Sequence, residues 1–494
     1  MFLSKPIFNP RCDTVQFASL PPLAERLVQA AAIPYRFSVF DTLNDRQLPM
    51  ITSLETLPHV QPASRVVVGD MHGNWLKLLE TLLVGGLITF QTPGGSSDAL
   101  KPLTTIRDLG EQLNRAIDAD PNLEKRAVRD SIWELKDKLL EQFQTIRWTD
   151  ENRQLLLLGD VIADRGPLDY VTMGLIRAIN RTDDDGSVDD HTNYKDRIAY
   201  LAGNHDHGVY QYYTFGESPL LGEANQQENR YRSLVNSLKL MQDDPDRWDD
   251  LKKQYQQFLG HAKVMLYNPD EKTLYVHAPV RRQEMNGLVD MVCHYAQTFN
   301  FTRWKYNEII HNVAMNQFVD DANELYHFHI NYGFEHPQAE LVLEDENLKA
   351  ADQVFQDFFW VRTFADSQAF LPFYEPSKSR QLVCRLVHGH TNDTVMSQYS
   401  NLRPGRGQGD LGGSVDPNFA IYSLNNAVRY EWGQTEFDTP SVLFLEKKEG
   451  NRLEAFEQRY QPQNPTGEPT GDTQEDATSP GARRPWANKP VGVP

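Results

Sequence analysis

Three features of the sequence predict an α/β fold. Short runs of Val, Ile and Leu recur along the chain, each run ends in Gly, Asp, Asn or His, and amphipathic helical patterns fill the intervals. Unbroken aliphatic runs of this length suit strands buried on both faces, and helices flanking the sheet supply that burial. Polar residues at the carboxyl ends of such strands stand where open α/β sheets place their sites.

The five runs are RVVVGDMHGN (65–74), LLLLGDVIADRG (155–166), IAYLAGNHD (198–206), TLYVHAP (273–279) and LVCRLVHGHT (382–391). After the first, Trp75, Leu78, Leu79, Leu82 and Leu83 recur at helical spacing. From 100 to 147, Leu103, Ile106, Leu109, Leu113 and Ile117 form one apolar stripe and Leu123, Ala127, Ile132, Leu135, Leu139 and Phe143 a second, parted by Asp118-Ala-Asp-Pro-Asn122. Two amphipathic helices joined by a Pro-containing turn make a helical hairpin, inserted between the first two motifs. It is either a decoration packed on the core or an arm that docks a partner.

Residues 224–262 and 281–355 also read as mostly helical. Their aromatic residues (Tyr295, Phe299, Phe301, Trp304, Tyr306, Phe318, Tyr326 and Phe328) suit core packing better than a binding platform. Further strands are expected within 419–432 and 441–446. From about 460 the chain turns rich in Pro, Gly, Thr and Gln, the composition of a disordered tail. The expected organisation is an N-terminal extension (1–62), a main domain (63–450) carrying the hairpin (100–147), and the tail (460–494).

Lys plus Arg number 49 against 68 for Asp plus Glu, a formal net charge of −19 over 494 residues. Such a surface repels a phosphate backbone, which argues against nucleic acid as a partner. A local basic pocket can still hold a single phosphate, because binding follows the field of the site. Cys12, Cys293 and Cys384 are too few and too scattered for a zinc knuckle or a disulfide framework. The opening MFLSKPIFNPRCD lacks the apolar run of a signal peptide, and no stretch approaches the roughly 20 apolar residues of a membrane span. Folding in reducing cytoplasm is the expectation.

Singly, the polar strand ends say little. Asp70-Met-His72 is a short pattern, and His277 alone reads as an ordinary core histidine. Gly159-Asp160 with Asp164-Arg165-Gly166 is more specific, because two carboxylates and an arginine share one turn. Gly203-Asn204-His205-Asp206 and Gly389-His390-Thr391 lie between. The order is what carries weight: each group directly follows a buried run, and together they supply hard oxygens and imidazoles suited to divalent Mn, Fe or Zn.

In that order the motifs resemble the calcineurin-like metallophosphoesterases, and within them the phosphoprotein phosphatase branch, over roughly residues 63–446. The resemblance implies a metallophosphoesterase-type β-sandwich flanked by helices, holding two divalent metal ions, with Mn favoured. It implies that Asp70 and His72 bind one ion, that Asp160 bridges both, and that Asn204, His277 and His390 bind the second. A bridging hydroxide would attack phosphorus directly, without a phosphoenzyme. His205 would protonate the leaving oxygen and Asp164 would orient it. Arg165 would grip phosphate oxygens, and Trp360-Val-Arg362 resembles the element that supplies a second phosphate-binding arginine, Arg362.

Three departures stand out. Val161-Ile-Ala163 places three residues between the carboxylates where that branch has two, so the turn must bulge and the pairing of Asp164 with His205 is open. Asp206 replaces the usual Glu. Asn392 stands where many relatives carry a second His, and His388 reads as a neighbour rather than a ligand. The bulged turn and the hairpin resemble the Wip-type phosphatases that Legionella delivers into host cells. That resemblance implies phosphorylated host proteins as substrates (phosphotyrosine, or phosphoserine and phosphothreonine) and translocation without a cleaved signal peptide; inserted directly after the first metal motif, the hairpin is expected to dock such a protein near the site. Two alternatives stay open: a nucleotide or phosphodiester hydrolase using the aromatic segment 281–328, and a catalytically silent scaffold.

Overall fold

The computed structural model describes residues 64–91, 101–164, 166–181, 195–216, 231–242, 244–270, 272–280, 282–298, 315–335 and 346–361. Further on it describes 374–375, 380–381, 383, 385–390, 420–424, 429–431, 434–436, 441–449 and 452–460. The expected N-terminal extension, the tail beyond 460, and Arg165 and Arg362 lie outside the described residues.

The chain runs β1 (Arg65–Val68), α1 (Trp75–Val84), β2 (Ile88–Phe90), α2 (Lys101–Ala119), α3 (Arg126–Phe143), β3 (Ile146–Trp148) and β4 (Gln154–Leu157). There follow α4 (Asp169–Asn180), β5 (Ile198–Tyr200), α5 (Asn204–Phe215), α6 (Arg232–Met241), α7 (Pro245–His261), β6 (Met265–Asn268) and β7 (Thr273–Val276). The helices α8 (Arg282–Thr298), α9 (Met315–Glu335) and α10 (Glu346–Phe359) precede the closing strands. Those are β8 (Tyr374–Glu375), β9 (Arg380–Gln381), β10 (Arg385–His388), β11 (Ala420–Ser423), β12 (Arg429–Glu431), β13 (Gln434–Glu436), β14 (Ser441–Glu449) and β15 (Arg452–Tyr460).

Mixed helix and sheet is thus the architecture. A five-stranded sheet has the order β15-β14-β1-β4-β5 and a four-stranded sheet the order β11-β10-β7-β6. Within the first, β1, β4 and β5 are parallel; within the second, β7, β10 and β11 are parallel. Strand side chains alternate between faces. On one face Val67, Leu156 and Ala199 meet Tyr275, Val387 and Leu424 of the other sheet in a small apolar layer. On the opposite face Val66, Val68, Leu155, Leu157 and Ile198 join the large helical core.

The hairpin belongs to that core. Ile106, Leu113, Ile132, Leu139 and Phe143 are fully buried, and the Phe143 ring lies 5.8 Å from that of Trp75. A Cβ at Gly110 would come within 3.0 Å of the Trp75 ring, and one at Gly174 of α4 within 2.2 Å of Leu140. Buried Lys136 adds a polar clasp, its ammonium 3.4 Å from the centre of the Trp133 ring and 4.0 Å from that of Tyr170. Excising residues 103–146 would therefore strip the cover from Trp75, so deletion cannot separate docking from packing. Its outward residues, among them Asp108, Glu134, Lys138 and Glu141, are exposed and charged.

The aromatic segment divides in the same way. Tyr295, Phe318 and Tyr326 are buried and Phe328 packs against the core, while Phe299, Phe301, Trp304 and Tyr306 lie outside the described residues. No described helix is long and apolar enough to cross a membrane.

Candidate functional site

Strand register brings the motifs together. β1 and β4 run in parallel with Val68 opposite Leu157, so the loops after them emerge side by side. The amides of Met71 and His72 donate to the Asp160 carbonyl at 3.1 and 2.6 Å, and that of Gly73 donates to Val161 at 2.8 Å. In the second sheet Val276 lies opposite His388, which places His277 beside Gly389, whose amide donates to the His277 carbonyl at 2.9 Å. Asn204 opens α5, so the positive end of a helix faces the same space. Asp70, His72, Asp160, Asn204, His205, His277 and His390 all gather there, at the carboxyl ends of both parallel sets. His72, Asp160 and His390 adopt left-handed backbone conformations, with φ of 52°, 47° and 67°. Such strain in non-glycine residues concentrates at functional sites.

The imidazole of His277 shows what the centre demands. It is fully buried, and burial pulls its pKa down to about 4, so the ring is neutral. Its Nδ1 donates to the Leu158 carbonyl at 2.7 Å, which leaves the lone pair on Nε2. That Nε2 lies 3.0 Å from Asn204 Oδ1, 3.1 Å from His390 Nδ1 and 3.4 Å from Asp160 Oδ1. Electron-rich atoms thus converge at contact distance on one another. A cation among them would resolve the conflict, and the set of one carboxylate, one carboxamide and two imidazoles fits a divalent transition metal. Asn204 Nδ2 is buried without a hydrogen-bond partner among the described residues, consistent with a side chain held for its oxygen.

Asp160 is common to two ligand groupings among the described residues: with His277 and His390, and with His72 and His205. Burial raises its pKa well above the ordinary carboxylate value, and the nearby carboxylates of Asp70, Asp206 and Asp164 push it further. Asp70 is buried too, and desolvation raises it despite His72 and the His390 amide, which donates to both of its oxygens at 3.1 Å. Carboxylates crowded in this way call for countercharge, and metal ions would provide it. Asp70 is not in either grouping, although its Oδ2 stands 4.0 Å from His72 Nε2.

The bulged turn 160–164 is held by two carboxylates that sequence reasoning did not assign. Asp206 accepts the amides of Val161 (3.0 Å), Ile162 (2.9 Å) and Gly203 (2.9 Å). Asp169 accepts the amide of Ala163 at 2.9 Å and the Tyr255 hydroxyl at 2.8 Å. The signal for Asp206 was available, since an acidic residue three positions after a helix cap closes back on the cap amide. Nothing local marks Asp169, which works through a turn six residues earlier. Two rings also border the site: the ring centre of Tyr231 lies 5.1 Å from that of His205, and the Trp360 and His390 ring centres stand 6.3 Å apart in a T-shaped arrangement. His388 is buried, with Nδ1 2.8 Å from the Gly389 carbonyl, beside the site.

Asp164 forms ion pairs with two histidines. Its Oδ2 is 2.7 Å from His72 Nδ1 and 3.9 Å from His205 Nδ1. His205 Nδ1 also lies 3.4 Å from the Ala163 carbonyl.

Burial raises the pKa of Asp169 from 3.8 to about 6. The folded chain therefore binds this proton more tightly than the unfolded chain. The associated stability is fully present below about pH 4 and is lost as pH rises towards 6. Asp169→Asn should match the parent at pH 4 and gain relative stability above pH 6, by up to about 3 kcal/mol. Chemical denaturation across pH reads this directly, and a difference independent of pH would refute it.

The class of protein is a phosphatase, since residues 154–407 match a family of phosphatase domains. That family is described as WipA-like, phosphatase domain; the match spans just over half of the 494 residues, and the chain belongs to the family. The chain is also similar to the crystal structure of the phosphatase domain from the Legionella effector WipB. There the identity is 15% and the TM-score 0.42, over 67% of this chain and 100% of that one. No curated protein matches the chain.

Proposed function

We propose that this chain is a dinuclear metal-dependent phosphoprotein phosphatase with a metallophosphoesterase-type β-sandwich, related to the phosphoprotein phosphatase branch and occupying residues 63–450. The convergence of Asn204 Oδ1, Asp160 Oδ1 and His390 Nδ1 on the bare Nε2 of His277 carries the reading. Asp70 and His72 would hold one ion, Asp160 both, and Asn204, His277 and His390 the second. When bound, two such cations, Mn foremost with Fe or Zn as alternatives, supply Lewis-acid catalysis and a nucleophilic water. His205 delivers the proton to the leaving oxygen, Tyr231 limits its swing, and Arg165 and Arg362 hold phosphate oxygens.

Phosphorylated proteins of a host cell, carrying phosphotyrosine, phosphoserine or phosphothreonine, are the proposed substrates, reached by translocation of a bacterial effector. Burial of Tyr295, Phe318 and Tyr326 counts against a nucleoside pocket built from those rings. The test is Mn-dependent phosphate release from matched phosphotyrosine and phosphoserine peptides. Release from one or both supports the reading, and the preferred peptide names the substrate class. No release from either, with Mn verified in the protein, would overturn it.

The exposed face of the hairpin is the proposed docking element. Reversing the charges of Glu134 and Lys138 should leave nitrophenyl phosphate turnover unchanged and slow dephosphorylation of an intact phosphoprotein severalfold. Equal rates for the parent and the variant on both substrates would remove the docking role.

A further inference from the structure

The inserted residue of the 160–164 turn changes which histidine the turn's carboxylate serves. We infer that Asp164 is a positioning residue for His72, and that the Ala163 carbonyl replaces it as the partner of His205. This rests on the dinuclear reading above.

The geometry is specific. Asp164 and His72 are both buried, and Oδ2 lies 2.7 Å from Nδ1, an ion-pair distance. With Nδ1 facing that carboxylate, the ring turns Nε2 towards Asp70, whose Oδ2 is 4.0 Å away. Fixing the tautomer and ring of a metal-binding histidine through a carboxylate on its far nitrogen is a general device, and losing the carboxylate typically weakens metal binding 10- to 100-fold. The same carboxylate is 3.9 Å from His205 Nδ1, beyond hydrogen-bond reach.

The turn is built to keep this arrangement. Ala163 takes a left-handed conformation, with φ of 64°, which few alanines adopt. Its amide is held by Asp169 at 2.9 Å, while the Asp164 carbonyl accepts the Ser233 amide at 2.8 Å. With both ends fixed, the Ala163 carbonyl points to His205 Nδ1 at 3.4 Å and the Asp164 side chain points to His72. Asp206 anchors the preceding two amides, so the turn cannot relax towards His205 without breaking bonds to two buried carboxylates.

The experiment is a calorimetric Mn titration of the metal-free full chain, its Asp164→Ala variant and its Asp164→Asn variant. Turnover of nitrophenyl phosphate and of a phosphoserine peptide is then measured at saturating Mn. We expect Asp164→Ala to bind one Mn about 10- to 100-fold more weakly. Asp164→Asn, which keeps an acceptor oxygen for His72, should recover part of that loss. At saturating Mn both substrates should be affected in equal proportion.

Unchanged Mn affinity would overturn the inference, above all if the phosphoserine peptide then slows far more than nitrophenyl phosphate. The serine alkoxide is the poorer leaving group and needs the acid more, so that pattern would assign Asp164 to His205. Should Asp164→Ala fail to fold, Asp164→Asn decides: weaker Mn binding supports the inference, and parental affinity overturns it. A parent chain that binds no Mn would instead bring down the dinuclear reading itself.

Discussion

Asp160→Asn should lower phosphate release on the order of 10³-fold while leaving the metal-free chain as stable as before or more so. The two halves of this expectation come from one fact. Asp160 is buried among the carboxylates of Asp70, Asp164 and Asp206, and its ionisation is costly until something positive enters the site. Asn removes the charge but keeps an oxygen for the His205 amide, which Asp160 Oδ1 accepts at 3.0 Å. Asn also tolerates the left-handed backbone, φ of 47°, better than most residues. The fold thus loses only a source of repulsion. Catalysis loses the one carboxylate shared by both ligand groupings, and several kcal/mol of charge stabilisation correspond to that drop in rate.

Thermal melts with and without Mn make the separation visible. Ligand that binds only the folded chain stabilises it by about 2.7 kcal/mol at a hundredfold excess over Kd. The parent should gain on Mn addition, and Asp160→Asn should gain little. Activity within tenfold of the parent would remove Asp160 from the bridging position.

How much of this was legible in the sequence depends on the range over which each feature is determined. The aliphatic runs marked β1, β4, β5, β7 and β10, and their polar ends marked the site, because a strand buried on both faces is encoded in consecutive residues. The hairpin stripes placed α2 and α3 to within a few residues of Lys101–Ala119 and Arg126–Phe143. That the hairpin lies against Trp75 could not be read, since nothing in the stripes says what they face.

Other misses have a local cause. Sequence reasoning ended the strands at 446 and so omitted β15, although the dipeptide Gly450-Asn451 is a sequence signal for a hairpin and Glu449 pairs with Arg452. Polar alternation in RLEAFEQRY hid a strand that pairs with β14 through its backbone. The reach of Asp164 was hidden for a different reason. One inserted residue redirects a side chain by an amount that spacing does not specify, and here it depends on Asp169 and Asp206, which lie five and forty-two positions further on.

Gly203→Ala should weaken Mn binding and cut activity at least about 10²-fold, because this glycine is where two motifs touch. A methyl group there would lie 2.2 Å from both the amide nitrogen and Oδ1 of Asp160, and 2.9 Å from Cε1 of His277. Neither neighbour can yield cheaply. The Asp160 carbonyl is pinned by the amides of Met71 and His72, and the His277 ring is held by the Leu158 carbonyl. The start of α5 would have to retreat, carrying Asn204 and His205 with it. Overpacking of this kind costs about 1–3 kcal/mol, so the variant should still fold. Gly287 in α8 is the control: a methyl there finds its nearest neighbour, Val354, at 3.9 Å, and alanine in a helix gains about 0.5–1 kcal/mol over glycine. Gly287→Ala should therefore melt at or above the parent with unchanged activity. If Gly203→Ala kept parental Mn affinity and turnover, the contact between α5 and the 160–164 turn would not be what sets the ligand geometry.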